Sequence, residues 1–145
     1  MAPTVYRYVG SCHCGAIGFT YCTEQDPSVW QVRACLCSFC RAHHVLSTSD
    51  PRGSIEFTAR DSGLLNRYRF GARTADFLIC RGCGVYIGAL IETALGSFGI
   101  ININALRPAL SGIPEPVAMA YDTESRQQRI ARRELRWSPA IAKGI

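Results

Sequence analysis

Three cysteines, Cys35, Cys37 and Cys40, lie within six residues of one another, and this spacing suits metal binding. In an extended segment alternate side chains share a face, so Cys35 and Cys37 point the same way, and a turn through residues 38–39 would return Cys40 toward them. The three thiols can therefore converge on one ion. Zinc takes four tetrahedral ligands, all from protein in structural sites and with one position open in catalytic sites. The triad leaves the identity of the fourth ligand open.

Two further cysteine pairs have the spacing of metal-binding knuckles. They are Cys12-x-Cys14 and Cys80-x-x-Cys83, and together they supply one complete four-ligand set. Cys22, the eighth cysteine, has no partner at ligand spacing, so we expect it to be a small buried apolar residue rather than a ligand. Eight cysteines could instead form four disulfides, but the C-x-C and C-x-x-C spacings and the lack of a signal peptide favour metal thiolates.

Length and hydropathy place limits on the organisation of the chain. With 145 residues and 48% hydrophobic content, the sequence predicts a single domain over residues 1–145. Neither the residues near the amino terminus nor the most apolar stretches, 85–91 and 98–103, approach the roughly 18 residues of a membrane span. We therefore expect a cytoplasmic protein without a membrane partner, and the sequence leaves the oligomeric state open.

The basic charge of the chain depends on the state of its thiols. Seven thiolates and two doubly charged zinc ions would lower the formal charge from +5 to +2. Of the 16 basic residues only Lys143 is a lysine, which suits bidentate binding of carboxylates or phosphates, although codon usage explains the same bias.

Alternation of apolar residues and turn signals predict mainly β structure around the cysteines. The predicted strands cover residues 4–9, 16–22, 29–35, 55–58, 67–70, 77–80, 85–91, 97–104 and 117–121. Strands 16–22 and 29–35 are expected to pair as a hairpin that carries Cys35, and the Cys80–Cys83 knuckle is expected at the tip of another hairpin. Residues 41–45 are expected to form a helical turn, residues 47–53 a loop, and residues 125–135 the one convincing helix.

The ordered motifs resemble the glutathione-dependent formaldehyde-activating enzyme family, which is grouped with centromere-protein-V-type domains. The resemblance covers residues 6–137, which we take as the domain core, and rests on these motifs: Gly10-Ser11-Cys12-x-Cys14-Gly15, Cys35-x-Cys37-x-x-Cys40-Arg41, Cys80-x-x-Cys83-Gly84, Ile103-Asn104-Ala105-Leu106 and Arg136-Trp137. It implies an all-β fold of several short coiled antiparallel sheets. It also implies a structural zinc on Cys12, Cys14, Cys80 and Cys83, and a catalytic zinc on Cys35, Cys37 and Cys40.

The chain departs from the family pattern in three places near these motifs. Leu36 replaces a usual histidine and Ile79 a usual phenylalanine, and both changes are read as packing. His43 and His44 follow the triad where the family tends toward small residues. Because they lie three and four residues after Cys40, they are candidate catalytic residues for proton transfer, with a fourth metal ligand and a plain surface position as the open alternatives.

Three thiolates on zinc leave a unit of charge −1, which is a weak Lewis acid better suited to holding a soft sulfur ligand than to generating hydroxide. The resemblance implies a carbon-sulfur lyase that forms or cleaves S-hydroxymethylglutathione. The expected partner is thus a small-molecule thiol or a thiol–aldehyde adduct.

Two alternatives remain. One is a zinc-stabilised binding module whose Arg-rich carboxyl end binds an acidic partner or nucleic acid, but those arginines alternate with acidic and polar residues and predict a solvated helix face, so we expect no nucleic-acid partner. The other is a redox sensor whose thiols oxidise and release zinc.

Overall fold

The strands form where apolar and polar residues alternate, as in the segment Ser54–Ala59, where Ile55 and Phe57 are buried and Glu56 and Thr58 face solvent. This period of two puts one face of a strand on the core. By contrast, the first six residues of Tyr86–Thr93 are all buried, which identifies a strand covered on both faces. Alternation of polar residues therefore distinguishes a strand with one exposed face from a strand that is buried on both faces.

The computed structural model describes residues 4–145, so the first three residues of the predicted domain lie outside the described part. Eleven strands and two helices are present there. The strands are β1 Tyr6–Ser11, β2 Ile17–Thr23, β3 Arg33–Cys35, β4 Ser47–Thr48, β5 Ser54–Ala59, β6 Leu65–Tyr68, β7 Asp76–Cys80, β8 Tyr86–Thr93, β9 Gly96–Asn102, β10 Val117–Met119 and β11 Ser138–Ile141; the helices are α1 Ser38–His43 and α2 Arg126–Arg136. Short 3-10 turns cover Pro27–Val29, Ser62–Leu64 and Ile103–Ala105.

Strand β9 is the junction of the sheet. One edge pairs with β8, and β7 and β6 continue outward from there. The other edge pairs with β11 near its start and with β4 near its end. From β11 the sheet runs through β5 and β2 to β1, and from β4 it runs through β3 to the edge strand β10. Most pairs are antiparallel, whereas β11 with β5 and β10 with β3 are parallel.

The core has one large part and two small ones. The large part includes Phe19, Tyr21, Trp30 and Phe57, together with the buried thiols of the distant Cys12 and Cys80. A second cluster, which includes Ile100 and Trp137, has the half-buried Ile130 of α2 packed against it. The third holds Cys40, Val45 and Tyr86, with Phe39 and Phe77 packed against it, so it supports the triad.

The mainly β prediction is confirmed, and so is the carboxyl-terminal helix, whose amino end is closed by a capping box between Ser125 and Gln128. The Cys80–Cys83 knuckle joins the antiparallel strands β7 and β8, as predicted. Neither helix in residues 4–145 is long and apolar enough to span a bilayer.

The predicted hairpin of residues 16–22 and 29–35 is wrong. Both edges of β2 are occupied by β1 and β5, so β3 pairs instead with β4 and β10. Strand β3 is also shorter than predicted, because Pro27–Val29 forms a 3-10 turn capped by Asp26. Within the predicted loop 47–53, residues 47–48 pair with β9, and β11 was not predicted.

Candidate metal centres and the adjoining cavity

The four-cysteine cluster brings together Cys12, Cys14, Cys80 and Cys83, whose Sγ atoms all lie within 4.8 Å of one another. The Cys14 and Cys80 sulfurs are 3.5 Å apart, although 66 residues separate them in sequence. The first pair sits in the turn between β1 and β2, and the second at the β7–β8 turn. The cluster therefore ties two distant hairpins together.

Backbone N–H groups of both knuckles point at the sulfurs. Ile17 donates to Cys12 Sγ at 3.4 Å, and Gly82 and Cys83 donate to Cys80 Sγ at 3.3 and 3.4 Å. Such donors stabilise thiolates. Gly15 and Gly84, which close the two knuckles, have φ angles of 82° and 80°, the left-handed region that glycine adopts without strain. A donor set of four clustered thiols with N–H support fits a closed structural zinc site.

The three-cysteine cluster consists of Cys35 at the end of β3, Cys37 just before α1 and Cys40 inside it, with all three Sγ atoms within 4.8 Å. Cys37 takes the place usually held by Ser or Asp at a helix N-cap, and its sulfur accepts the Cys40 N–H at 3.4 Å. Helix α1 thus starts earlier than the predicted turn at 41–45. Three thiols at this spacing fit a zinc ion with one position left open.

The thiols of this cluster differ in acidity. Hydrogen bonds from the Cys35 and Cys40 thiols hold the pKa of Cys37 well below its usual range, because they stabilise the Cys37 thiolate. The Cys40 thiol has hydrogen bonds with Cys35 and Cys37, and these raise its pKa, so Cys40 keeps its proton. One thiol of the cluster is therefore ready to bind a metal as thiolate near neutral pH.

Neither His43 nor His44 joins the three-cysteine cluster; among residues 4–145 no histidine or carboxylate lies within its 4.8 Å group. Both are exposed. The His43 ring lies over Phe39, with 4.5 Å between ring centroids, and the His44 carbonyl accepts a hydrogen bond from Asn104. His44 borders a concavity that also touches Cys35 and Cys40. The proton-transfer role of the two histidines stays a prediction.

Cys22 lies outside both clusters, in agreement with its exclusion as a ligand. It is half-buried rather than buried, because β2 is a strand whose alternate residues face outward.

The three-cysteine cluster opens onto a cavity of about 410 Å³. Aromatic side chains form much of its wall: Phe70, Phe77, Tyr86, Tyr121 and Trp137. Burial raises the pKa of Tyr86 well above its ordinary value, so its phenol keeps its proton at neutral pH. The cavity therefore offers a water-poor space beside the thiols.

Arginines form much of the polar part of the same cavity, which also includes Asp122: Arg33 of β3 and Arg129, Arg132 and Arg133 of α2. The prediction of a solvated arginine face is thus wrong for part of α2, since Arg133 is only 7% exposed. The sequence does indicate that these arginines share one face of the helix. Residues 129, 132, 133 and 136 are all arginine at the i, i+3, i+4, i+7 spacing of one helix face.

Comparison with known proteins agrees with this geometry. The model of a family described as glutathione-dependent formaldehyde-activating enzyme matches residues 7–121. The crystal structure of a Rhodobacter sphaeroides protein, a structural-genomics target, is similar at a TM-score of 0.56 and 24% identity, over 77% of this chain and 99% of that one. At that identity the likeness supports the fold alone. No curated protein matches the chain significantly.

Proposed function

The chain belongs to the glutathione-dependent formaldehyde-activating enzyme family, and from this premise we propose that it is a zinc-dependent carbon-sulfur lyase acting on thiol adducts of small aldehydes. The adduct that the family name suggests is S-hydroxymethylglutathione, formed from formaldehyde and glutathione. The observation that carries the proposal is the open three-cysteine cluster facing a cavity large enough for a small organic ligand.

Two zinc ions would be held by this chain, one by Cys12, Cys14, Cys80 and Cys83 and one by the three-cysteine cluster. Bound to the triad, zinc would supply a position for a soft sulfur donor and lower the pKa of an incoming thiol.

The reaction itself needs no redox cofactor. In the cleavage direction the electron pair of the adduct's C–S bond leaves with sulfur, the adduct hydroxyl loses its proton, and a C=O bond forms. The aromatic walls limit water around the leaving sulfur, and the protonated Tyr86 phenol is suited to donate a hydrogen bond to developing charge. His43, or water, is the candidate to accept the hydroxyl proton. A cytoplasmic location is part of the proposal, since reduced thiols are maintained there.

Direct ligation of the thiol is tested by replacing the zinc of the three-cysteine cluster with cobalt, whose sulfur-to-metal absorption reports its ligands. We call this zinc the labile zinc, because all three of its protein ligands come from one short segment. Glutathione should change that absorption, whereas S-methylglutathione, which has no ionisable thiol, should change it far less. Identical behaviour of the two compounds would mean that the substrate sits beside the metal rather than on it.

Turnover is tested by exchange NMR on an equilibrium mixture of formaldehyde, glutathione and their adduct. The zinc-loaded protein should accelerate the exchange, and Cys37→Ser should abolish the acceleration while the domain stays folded. Cys22→Ser is the matched control and should behave as wild type. Zinc release by peroxide in a protein that gives no acceleration would instead support the redox sensor, and intact zinc without acceleration or thiol binding would support the binding module.

A further inference from the structure

Two of the cavity arginines are buried without a carboxylate partner. Arg33 is 9% exposed and Arg133 is 7% exposed. Their hydrogen bonds go to neutral hydroxyls, from Arg33 to Ser49 and from Arg133 to Thr74, and the Nε atom of each has no partner. Among residues 4–145 neither forms an ion pair.

The nearby arginines are already paired. Glu124 accepts two hydrogen bonds from Arg132, at 2.7 and 3.0 Å, and lies 3.6 Å from Arg129. The Glu124 carboxylate therefore already has two arginine partners on α2. Asp122, the acid of the cavity lining, is exposed and forms an ion pair with neither buried arginine. The protein thus leaves two guanidinium groups in a desolvated place without a counter-ion.

Such a placement is costly. Burial removes both guanidinium groups from most of the surrounding water, and together with the charges of Arg132 and Arg129 it lowers the pKa of Arg133 to about 10, which still leaves Arg133 protonated near pH 7. An unpaired buried charge is strongly unfavourable, whereas a guanidinium that meets an oxyanion forms two parallel charge-assisted hydrogen bonds. An anionic ligand would remove the cost.

The two arginines share their cavity with the three-cysteine cluster. Arg33 and Cys35 are alternate residues of β3 and so lie on one face of that strand. The lining of this one cavity includes both arginines, Tyr86 and all three cysteines of the cluster. A single small ligand can therefore contact both the arginines and the cysteines.

We propose that Arg33 and Arg133 form a carboxylate-binding site, so that this cavity takes thiols, or thiol–aldehyde adducts, that carry a carboxylate group. The thiol part of this ligand class rests on the proposed function. The charge balance favours an anion: the four cavity arginines, set against Asp122 of the lining, the paired Glu124 and a metal-bound triad of charge −1, leave +1, which one carboxylate would neutralise. Both arginines determine specificity and neither takes part in bond cleavage.

The test compares 3-mercaptopropionate with 3-mercaptopropionamide, which differ by one negative charge and keep the same thiol. Cobalt replaces the labile zinc and its absorption reports binding. The wild-type protein should bind the carboxylate compound at least about tenfold more tightly, as expected of a charge-assisted pair. In Arg33→Gln and in Arg133→Gln this ratio should fall toward one, while affinity for the amide stays unchanged.

Arg126→Gln is the matched control. It removes the same charge from an exposed position of α2 outside the cavity, and the ratio should stay at the wild-type value. If the affinity ratio falls equally in this variant, the effect is due to the net charge of the protein rather than to a site, and the proposal is overturned. A Gln variant at 33 or 133 that binds cobalt more weakly but keeps the wild-type ratio would also overturn it, because the arginine would then serve only to balance the charge of the metal thiolates.

A second measurement uses no variant and no thiol. The Arg133 guanidinium carbon lies 4.9 Å from the centroid of the Trp137 ring, so binding of propionate there should change tryptophan fluorescence saturably, and propionamide should not. Equal effects of the two compounds would refute the anion site. If propionate changes the fluorescence but neither thiol changes the cobalt absorption, the anion site is supported and the proposed lyase function is refuted. If both thiols bind cobalt with equal affinity, thiol ligation is supported and the anion site is refuted.

Discussion

Replacing Cys80 by serine should destabilise the domain far more than replacing Cys37, because the two clusters differ in the length of chain that they close. A metal at the four-cysteine cluster links Cys14 to Cys80 across 66 residues. The chain-entropy relation for cross-links gives about 4 kcal/mol for a loop of this length. For the short loop from Cys35 to Cys40 the same relation gives about 2 kcal/mol.

Burial of Cys80 increases the expected difference in stability between the two variants. Cys12 and Cys80 are 0% and 1% exposed within the main core, so a serine at residue 80 would also place a hydroxyl among apolar groups. We therefore expect Cys80→Ser to lose at least about 4 kcal/mol, a large share of the 5–15 kcal/mol typical of a domain, and Cys37→Ser to lose at most about 2 kcal/mol.

Urea unfolding followed by circular dichroism, with zinc content measured on the same samples, checks these values. Cys22→Ser controls for the loss of a thiol outside both clusters and should leave the midpoint nearly unchanged. Removing all zinc from the wild type with a chelator should lower stability at least to the level of Cys80→Ser. The reasoning is refuted if Cys80→Ser unfolds at the wild-type midpoint, or if Cys37→Ser is the less stable variant.

Two further predictions concern single side chains. If His43 or His44 transfers the proton, its replacement by alanine should lower turnover and leave the zinc content unchanged. Loss of the labile zinc in such a variant would instead show that the histidine is a metal ligand. Full activity in the double variant would show that both histidines are surface residues without a role in turnover. Burial opposes ionisation of Glu124, but its hydrogen bonds with Arg132 outweigh this and lower its pKa below 4.5, so the stabilisation is present above pH 4.5 and is lost as pH falls through the lowered pKa. Glu124→Gln should accordingly flatten the fall of unfolding free energy in this acid range, and an unchanged slope in acid urea titrations would show that the pair contributes nothing.

Local features of the chain were predictable because they are encoded in short spacings. The C-x-C and C-x-x-C pairs brought their thiols together as expected, and the glycines after them have the positive φ angles that the knuckle turns require. Helix α2, predicted at residues 125–135 from its apolar spacing, spans Arg126–Arg136. In each case the determining interactions lie within about four residues of one another.

Features that depend on distant partners were not predictable. Strand β11 contains Pro139, which lacks an N–H and argues against a strand, yet its neighbours Ser138 and Ala140 pair with β9 and β5, far away in sequence. The failed hairpin has the same cause, since β5 rather than β3 occupies the free edge of β2. Spacing could suggest that the arginines of α2 share a face, but only the tertiary structure, in which that face borders the cavity with its aromatic wall, shows that Arg133 is buried.

The different settings of the two clusters agree with a division of work between them. The four-cysteine cluster has two thiols inside the main core and joins two hairpins, so a metal there would contribute to stability, and its four protein ligands would leave no position open to another ligand. The three-cysteine cluster rests on a small core of Cys40, Val45 and Tyr86, and Cys35 and Cys37 are only half-buried. Its ligands come from one short segment, which can lose or exchange a metal ligand at little cost to the fold. A site that must accept and release a thiol needs this looser setting, and the rigid aromatic and arginine walls around it can then select which thiol enters.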